Sequence, residues 1–322
     1  MQQTPTLTLG MPVYNAEALV AEALECLLAQ TFRDFEIHVS DNASTDRTRE
    51  IVEAYAARDS RIRLQVNETN IGATRNFDKV ATDIRSPYFK WTAHDDRYEP
   101  TYLERCIAAL EKDPGAVLAH ADSIFIDEDG RPFIEGCNPG EWIERKSHAL
   151  YRADPIDLGE AAHPLARFHH VLFGSLWGTH MFGVIRTSAL YRTHFLQNVP
   201  SSDRPFLAEL ALLGRFKGVR EPLFLKRFHS RMTLALDAAT IKTYVSGADD
   251  DYSQRQRQLS VYLATPKDKP IGWLTRNACR GLVIAYSLGV VSRRFRGIEH
   301  PAVRPAHPSP AAHQNEATPS AH

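Results

Sequence analysis

Short apolar runs alternate with amphipathic segments in the first part of the chain. The apolar runs predict buried strands, and the segments between them repeat apolar residues at the spacing of helices that pack on a sheet. The predicted strands are Thr6–Pro12, Phe35–Ser40, Ile62–Val66, Ser86–Trp91 and Ala116–Ile126, and the predicted helices are 16–30, 47–58, 73–82 and 101–112. This order is typical of βαβ units and predicts an α/β fold around a mainly parallel sheet flanked by helices.

The pattern loosens after about residue 130. We predict an irregular insertion at 131–165, a helix near 168–172, a strand at Met181–Ile185 and a helix at Phe206–Leu213. Gly183 inside the predicted strand suggests a point where a ligand comes close. Further strands are predicted at 216–219 and 223–228. The domain prediction is 1–235, with halves of about 1–130 and 131–235, then a helical region at 236–299 and a disordered tail at 300–322.

The composition excludes some classes of protein. The 322 residues carry a net charge of -1, which argues against a nucleic-acid binder because such proteins need a basic surface. The 4 cysteines are far apart, so neither a zinc signature nor a disulfide framework is expected. No signal-peptide pattern and no apolar run of about 18 residues is seen. We therefore expect a cytoplasmic protein.

Polar residues follow the predicted strands, where the carboxyl ends of a parallel sheet form one edge. They are the 12–15 and 70–75 stretches, Asp41, and the pair Asp95-Asp96. Ligands bind at this edge in open α/β sheets. Adjacent carboxylates suit a hard cation such as Mg²⁺ or Mn²⁺ on a phosphate-bearing substrate, and strand alternation predicts that the two side chains diverge. The alternative is a cap for the next helix.

Four motifs resemble the inverting family-2 glycosyltransferases, which have the GT-A fold. They are Leu9–Asn15, Ser40–Asp46, Asn70-Ile71-Gly72 with Arg75-Asn76, and Asp95-Asp96 with Pro100 behind it. The resemblance covers about residues 5 to 230. The sequence departs from the family pattern at Ala93, which stands where the acidic motif of the family has its first acid. Only Asp95 and Asp96 are therefore assigned the roles of the acids in that motif.

The resemblance implies a nucleotide-diphosphate sugar as donor and Mn²⁺ or Mg²⁺ as cofactor. The implied donor-binding residues are Pro12, Val13, Tyr14, Asn15, Asp41, Arg75 and Asp95, and the implied metal ligands are Asp95, Asp96 and His229. Several of these residues also have alternative roles that involve no ligand. Asp41 could form a turn and Tyr14 could belong to the core. Arg75 could lie on a solvated helix face, and His229 could be structural.

An inverting transfer needs a base that takes the proton of the acceptor hydroxyl. Asp203, just before the predicted Phe206 helix, resembles the acid that the family uses, although Ser202 replaces the usual preceding acid. Its alternative role is helix N-cap. His94, Trp177 and Gly178 are candidates for the acceptor side.

The sequence therefore predicts an inverting, metal-dependent glycosyltransferase of bacterial polysaccharide or lipopolysaccharide assembly, with a saccharide or lipid-linked acceptor. The alternatives are a sugar-nucleotidyltransferase, disfavoured because no glycine-rich loop follows the first strand, and a degenerate nucleotide-sugar-binding protein. From Tyr252 to Arg304 there are ten basic and two acidic residues. This region either packs on the domain or rests on the inner face of the cell membrane.

Overall fold

The computed structural model describes residues 4–229, 251–295 and 303–304. Its first part alternates strands and helices as predicted. The elements are β1 Leu7–Val13, α1 Val20–Leu28, β2 Phe35–Asp41, α2 Thr48–Ala56, β3 Ile62–Val66, α3 Ala73–Lys79, β4 Tyr88–Trp91, β5 Arg97–Tyr98, α4 Tyr102–Lys112 and β6 Ala116–Ile126. The predicted strands at 62–66 and 116–126 have the observed bounds. The first three helices are each shorter than predicted by three residues or more.

The second part is more regular than its sequence suggests. Its elements are β7 Ile134–Glu135, β8 Glu141–Ile143, β9 Leu150–Arg152, α5 Pro164–Gly174, a 3₁₀ helix Thr179–Phe182, β10 Val184–Arg186, α6 Thr187–Leu190, α7 Asp203–Leu213, β11 Arg215–Arg227, α8 Asp251–Ala264, α9 Trp273–Phe295 and β12 Val303–Arg304. The insertion predicted to be irregular forms three short strands, which with β12 make a small sheet in the order β12-β9-β8-β7.

Two further predictions were wrong in detail. The strands predicted at 216–219 and 223–228 are one strand, β11, whose pairing with β6 has register shifts around Pro222. The start of the predicted strand at Met181 is the 3₁₀ helix. Gly183 does mark a close approach, but to protein backbone: a Cβ there would lie 2.6 Å from the carbonyl oxygen of Ala119 on β6.

The main sheet has eight strands in the order β3-β2-β1-β4-β10-β6-β11-β5. β3, β2, β1 and β4 run parallel to one another, and β6 and β11 pair in parallel. Only the short strands β10 and β5 pair antiparallel within this sheet. The predicted mainly parallel α/β architecture is confirmed.

Two apolar clusters cover the faces of the sheet. Every residue of β1 is buried, as expected for a central strand with helices on both sides. In the second cluster Trp91 meets Phe206 of α7 edge to face, with ring centroids 5.1 Å apart. Cys279 and Val283 add α9 to this cluster. The candidate base Asp203 therefore begins a helix that is packed directly on β4.

The predicted C-terminal helical region contains α8 and α9, while 236–250 and 296–299 lie outside the described residues. Of the predicted tail, Val303 and Arg304 pair with β9, and the rest lies outside the described residues. In the part of the chain that the structure describes, no helix is both long enough and apolar enough to span a membrane.

Candidate active site

The carboxyl ends of β3, β2, β1 and β4 meet at one edge of the sheet, as the sequence predicts. Backbone hydrogen bonds join the loops that follow these strands. The amide of Asn42 donates to the Val13 carbonyl at 2.9 Å, and the amide of Asn67 donates to the Asp41 carbonyl at 2.8 Å. The predicted donor-side residues 12–15 and Asp41 are consequently neighbours along this edge, and Asp95 follows β4, the strand that pairs with β1.

The end of β1 and the loop after it carry the predicted donor-binding residues 12–15, and among them the side chain of Tyr14 is exposed. Tyr14 is 43% exposed, whereas Pro12 is buried and the Val13 side chain belongs to the core. Asn15 has a φ of 48°, and its side-chain oxygen accepts a hydrogen bond from the Thr45 amide at 2.9 Å. Asn15 therefore ties this loop to the loop after β2, and Tyr14 offers the aromatic surface.

Asp41 is buried at the end of β2. Its carboxylate accepts hydrogen bonds from the backbone amide of Ser44, at 3.3 Å, and from the Ser44 hydroxyl. These contacts are those of a turn, the alternative role given to Asp41 from the sequence. Contact between this carboxylate and a nucleotide base remains a prediction.

A network of asparagines beside Asp41 was missed in the sequence. The Asn42 side-chain oxygen accepts hydrogen bonds from Asn67 at 3.0 Å and from the Ile71 amide at 2.9 Å. Asn67 also donates to the buried Asn76 at 3.1 Å, which in turn donates to the carbonyl of Ser40 on β2 at 2.9 Å. The network fixes the loop before α3 against the sheet.

Arg75 lies in the first turn of α3, which this network supports. Its side chain is exposed, and no residue in the described ranges forms a salt bridge with it. An exposed guanidinium held on a short fixed helix suits a phosphate, which arginine binds with two parallel hydrogen bonds.

Asp95 and Asp96 point in different directions, as strand alternation predicts. An oxygen of Asp95 lies 3.0 Å from the Nε2 atom of His229. Asp96 is buried, and it accepts a hydrogen bond from the Arg227 backbone amide at 3.0 Å and lies 3.5 Å from the Lys226 ammonium. Asp95 is thus directed to the edge of the sheet, and Asp96 to β11.

The charges around the pair favour an ionised Asp95. Burial opposes ionisation of this carboxylate, but the His229 hydrogen bond and the nearby His94 and Lys226 outweigh it, so the pKa of Asp95 lies well below its ordinary value. Burial also opposes the Lys226 ammonium, yet the carboxylates of Asp96 and Asp95 raise the pKa of Lys226. His94 is partly buried beside Asp95.

Arg227 clamps the loop that carries Asp95, a role missed in the sequence. Its guanidinium donates to the Asp95 carbonyl at 2.8 Å and to the Glu128 carbonyl at 2.9 Å, and it pairs with Glu22 of α1 at 2.6 Å. It is almost fully buried. Truncating such a group would leave carbonyl and carboxylate oxygens unpaired.

Asp203 is the first residue of α7, and Ser202 occupies the N-cap position predicted as its alternative role. A Cβ atom on Gly178 would lie 2.9 Å from the Asp203 carboxyl carbon and would overlap one of its oxygens. Burial raises the pKa of Asp203, which Arg204 opposes and the carboxylate of Asp154 reinforces. The structure therefore brings together Asp203 and Gly178, two residues predicted separately.

Asp154 shapes the loop around Gly178 and was also missed in the sequence. Its carboxylate accepts hydrogen bonds from the amides of Leu176 and Trp177, the latter at 3.0 Å, and from the Thr179 amide and hydroxyl at 2.8 and 2.6 Å. Burial opposes its ionisation, but His180 and these donors keep the pKa of Asp154 well below its ordinary value.

Trp177 connects this loop to the Asp95 side of the site. Its ring meets that of Phe228 edge to face, with centroids 5.1 Å apart, and Phe228 directly precedes His229. The predicted acceptor-side loop and the predicted metal-side histidine are therefore held together by aromatic packing.

Part of this arrangement fits a divalent cation. Within the described ranges no cluster of three His, Cys, Asp or Glu side chains forms a complete metal site. Mg²⁺ needs only one or two carboxylates when substrate phosphates and water supply the other ligands. Asp95, with the His229 ring beside it, meets this requirement. Asp96 accepts a hydrogen bond from the Arg227 amide and pairs with Lys226, and its role as a second metal ligand remains a prediction.

Comparisons with known proteins agree with the fold and motifs. An uncharacterized glycosyltransferase of Haemophilus influenzae is 28% identical over 239 residues, covering 72% of this chain and 68% of the relative. The uncharacterized glycosyltransferase RT0329 of Rickettsia typhi is 30% identical over 152 residues, covering 47% and 42%. Three such relatives are covered over only 42–47% of their own length.

Among solved structures, residues 1–349 of S. aureus TarS in complex with UDP-GlcNAc align with a TM-score of 0.61 at 15% identity. The alignment covers 88% of this chain and 73% of that chain. This likeness shows the shared GT-A fold. The model of the family described as glycosyl transferase family 2 matches residues 8–196, more than half of the sequence. The chain therefore belongs to glycosyl transferase family 2.

Proposed function

We propose that this chain transfers a sugar from a nucleoside-diphosphate donor to a hydroxyl acceptor, with inversion at the anomeric carbon. The observation that carries the proposal is that the adjacent acids Asp95 and Asp96 have different surroundings. Asp96 is buried against β11, while Asp95 is held ionised at the sheet edge beside His229. A single oriented carboxylate at the carboxyl ends of parallel strands suits a metal-bound diphosphate.

The donor lies along the edge formed by β3, β2, β1 and β4 in this proposal. Tyr14 supplies the surface on which the base stacks, Asp41 accepts a hydrogen bond from the base, and Arg75 contacts the diphosphate. The family-2 motifs support these roles, as does the shared fold of TarS, whose structure was solved in complex with UDP-GlcNAc.

Asp95, with His229 at its side, would hold Mg²⁺ or Mn²⁺ on the diphosphate. When bound, the cation offsets the negative charge that develops on the departing nucleotide. The Arg227 clamp and the Lys226–Asp96 pair keep the Asp95 loop in place, so that little of the binding energy is spent on ordering it.

Asp203 acts as the general base. It takes the proton of the acceptor hydroxyl while that oxygen attacks the anomeric carbon from the face opposite the nucleotide. Its raised pKa makes the carboxylate a stronger base than an ordinary aspartate. In this proposal His94, Trp177 and Gly178 line the acceptor side of the site. The acceptor class that the family resemblance implies is a bacterial cell-surface saccharide.

A thermal-shift screen of nucleoside diphosphates with and without Mn²⁺, followed by transfer and hydrolysis assays with the matching nucleotide sugars, tests the proposal. Ligand that binds the native state raises the apparent melting temperature. Asp95→Asn should abolish the Mn²⁺-dependent part of the shift. The matched control is Asp83→Asn, an exposed aspartate with a φ of 58° that asparagine tolerates.

The same assays distinguish the proposed function from two alternative functions. Metal-dependent nucleotide binding without turnover of any sugar would favour a degenerate binding protein. Formation of a nucleotide sugar from a nucleoside triphosphate would favour a sugar-nucleotidyltransferase.

A further inference from the structure

One side of α9 fixes this C-terminal helix to the domain. Cys279 and Val283 are fully buried in the second apolar cluster. Tyr286 stacks on Tyr262 of α8 with ring centroids 5.9 Å apart, and its ring lies 5.1 Å below the guanidinium of Arg204 on α7. These contacts determine how α9 is rotated about its own axis, and therefore which side faces away from the domain.

The opposite side of α9 is apolar and exposed. Trp273 is 71% exposed, Leu274 76%, Ile284 51% and Leu288 65%. At about 100° per residue, Trp273, Ile284 and Leu288 lie within roughly 60° of one another, with Leu274 at the margin of the stripe. The stripe is about 22 Å long at the helical rise of 1.5 Å per residue. Large apolar side chains exposed along one face of a helix mark an interaction surface.

The positive charge of α9 restricts the kind of partner that its exposed face can bind. The helix carries no aspartate or glutamate, and its charged residues are all arginines: Arg276, Arg280, Arg293 and Arg294. Arg280 is exposed and borders the apolar stripe, about 20° from Trp273 around the helix. A helix with an apolar stripe, an interfacial tryptophan and arginines suits the boundary between lipid headgroups and acyl chains.

We propose that the exposed face of α9 binds the surface of an anionic lipid membrane, with Trp273, Leu274, Ile284 and Leu288 inserted and Arg280 at the headgroups. In the described part of the chain no helix can span a membrane, so α9 lies in the interface plane. A second copy of the chain fits this face less well. Twofold pairing of α9 would set its arginines near those of the partner helix, without an acid on either.

Vesicle flotation with the full-length chain tests the proposal without any sugar donor, so its outcome is independent of the proposed function. The wild type should float with vesicles of phosphatidylcholine and phosphatidylglycerol, and should bind pure phosphatidylcholine more weakly. The double variant Trp273→Ser/Leu274→Ser should lower the partition coefficient roughly a hundredfold, because two large apolar side chains no longer enter the interface. Ile284→Ser/Leu288→Ser should act in the same direction.

The contribution of Arg280 to binding of anionic vesicles is tested separately. Arg280→Glu should weaken binding to the anionic vesicles roughly tenfold or more and leave binding to pure phosphatidylcholine unchanged. Matched controls are Ile134→Ser, an exposed apolar residue of the small sheet, and Arg85→Glu, an exposed arginine before β4. Both controls should float like the wild type.

Three results would overturn the proposal. The first is a wild type that stays in the lipid-free fraction at both vesicle compositions, and the second is a set of α9 variants that float as well as the controls. The third is a dimer in sedimentation velocity, without vesicle binding, that the Trp273→Ser/Leu274→Ser variant dissociates. That last result would assign the face to a second copy of the chain.

Discussion

Gly178 is the position where one added carbon atom tests the proposed role of Asp203. In Gly178→Ala the new Cβ would overlap an Asp203 carboxylate oxygen and would lie 2.9 Å from the carboxyl carbon. Ordinary van der Waals contact begins at 3.4 Å. The carboxylate must therefore move, because the loop that carries residue 178 is held by the hydrogen bonds to Asp154.

Two effects of different size follow from this geometry. Gly178 has φ 66° and ψ 21°, a left-handed conformation that costs an alanine about 1–2 kcal/mol. This cost lowers the melting temperature by a few degrees. Relieving the overlap displaces the Asp203 carboxylate by roughly 1 Å, and a misplacement of that size in a reacting group can reduce turnover about a hundredfold.

Gly140→Ala separates the two effects. Gly140 has a φ of 75°, but the atom nearest to an added Cβ is the Ala153 Cβ at 3.9 Å. The control therefore carries the same kind of backbone cost without a carboxylate in the way. We expect similar losses of stability in the two variants, by thermal or denaturant unfolding, and a loss of kcat only in Gly178→Ala.

The measurement is sugar transfer with the donor identified by the thermal-shift screen, at saturating donor so that kcat is read directly. If Gly178→Ala keeps its kcat while losing as much stability as Gly140→Ala, the position of the Asp203 carboxylate does not matter to the reaction. Asp203 would then not be the base.

Other predictions concern the same site and its supports. Asp203→Asn should reduce kcat about 10²–10⁴-fold with nucleotide binding retained. Because burial raises the pKa of Asp203 above 3.8, wild-type kcat should fall as the pH drops through that raised pKa, and an acid limb at or below 3.8 would contradict this. Asp154→Asn should destabilise the protein by about 2 kcal/mol in urea at neutral pH, since an amide cannot accept all of the bonds. The wild-type contribution of Asp154 is present above its unfolded pKa and is lost as the pH falls below it. Asn76→Ala should cost about 2 kcal/mol through the buried asparagine network, while the exposed Asn198→Ala should cost almost nothing.

The donor edge could be predicted from the sequence because it follows from local patterns. Apolar runs of strand length and helical repeats between them fix parallel strands, and parallel strands bring Tyr14, Asp41 and Asp95 to one edge without any knowledge of long-range contacts. Strand alternation also predicts that Asp95 and Asp96 diverge.

What could not be predicted depends on partners distant in the chain. Which acid faces the edge is decided by Lys226 and Arg227, and these reach Asp96 only through the register of β11 against β6 and β5. The role of Asp154 gives no signal in the sequence because three of its hydrogen-bond donors are backbone amides, which nearly every residue possesses. The stretch from 131 to 165 contains strands too short for an alternating pattern to be visible.

The chain segment from Asp203 to His229 physically joins the two halves of the proposed site. α7 begins with Asp203 and is followed by β11 after a single residue, Gly214. β11 ends at Arg227, which clamps the Asp95 loop, and His229 follows at hydrogen-bonding distance from Asp95. Since α7 packs on Trp91 and β11 pairs along β6, neither end of this segment can shift without disturbing the core. The separation between the proposed base and the proposed metal-binding carboxylate is therefore set by core packing, as a reaction with strict geometric demands requires.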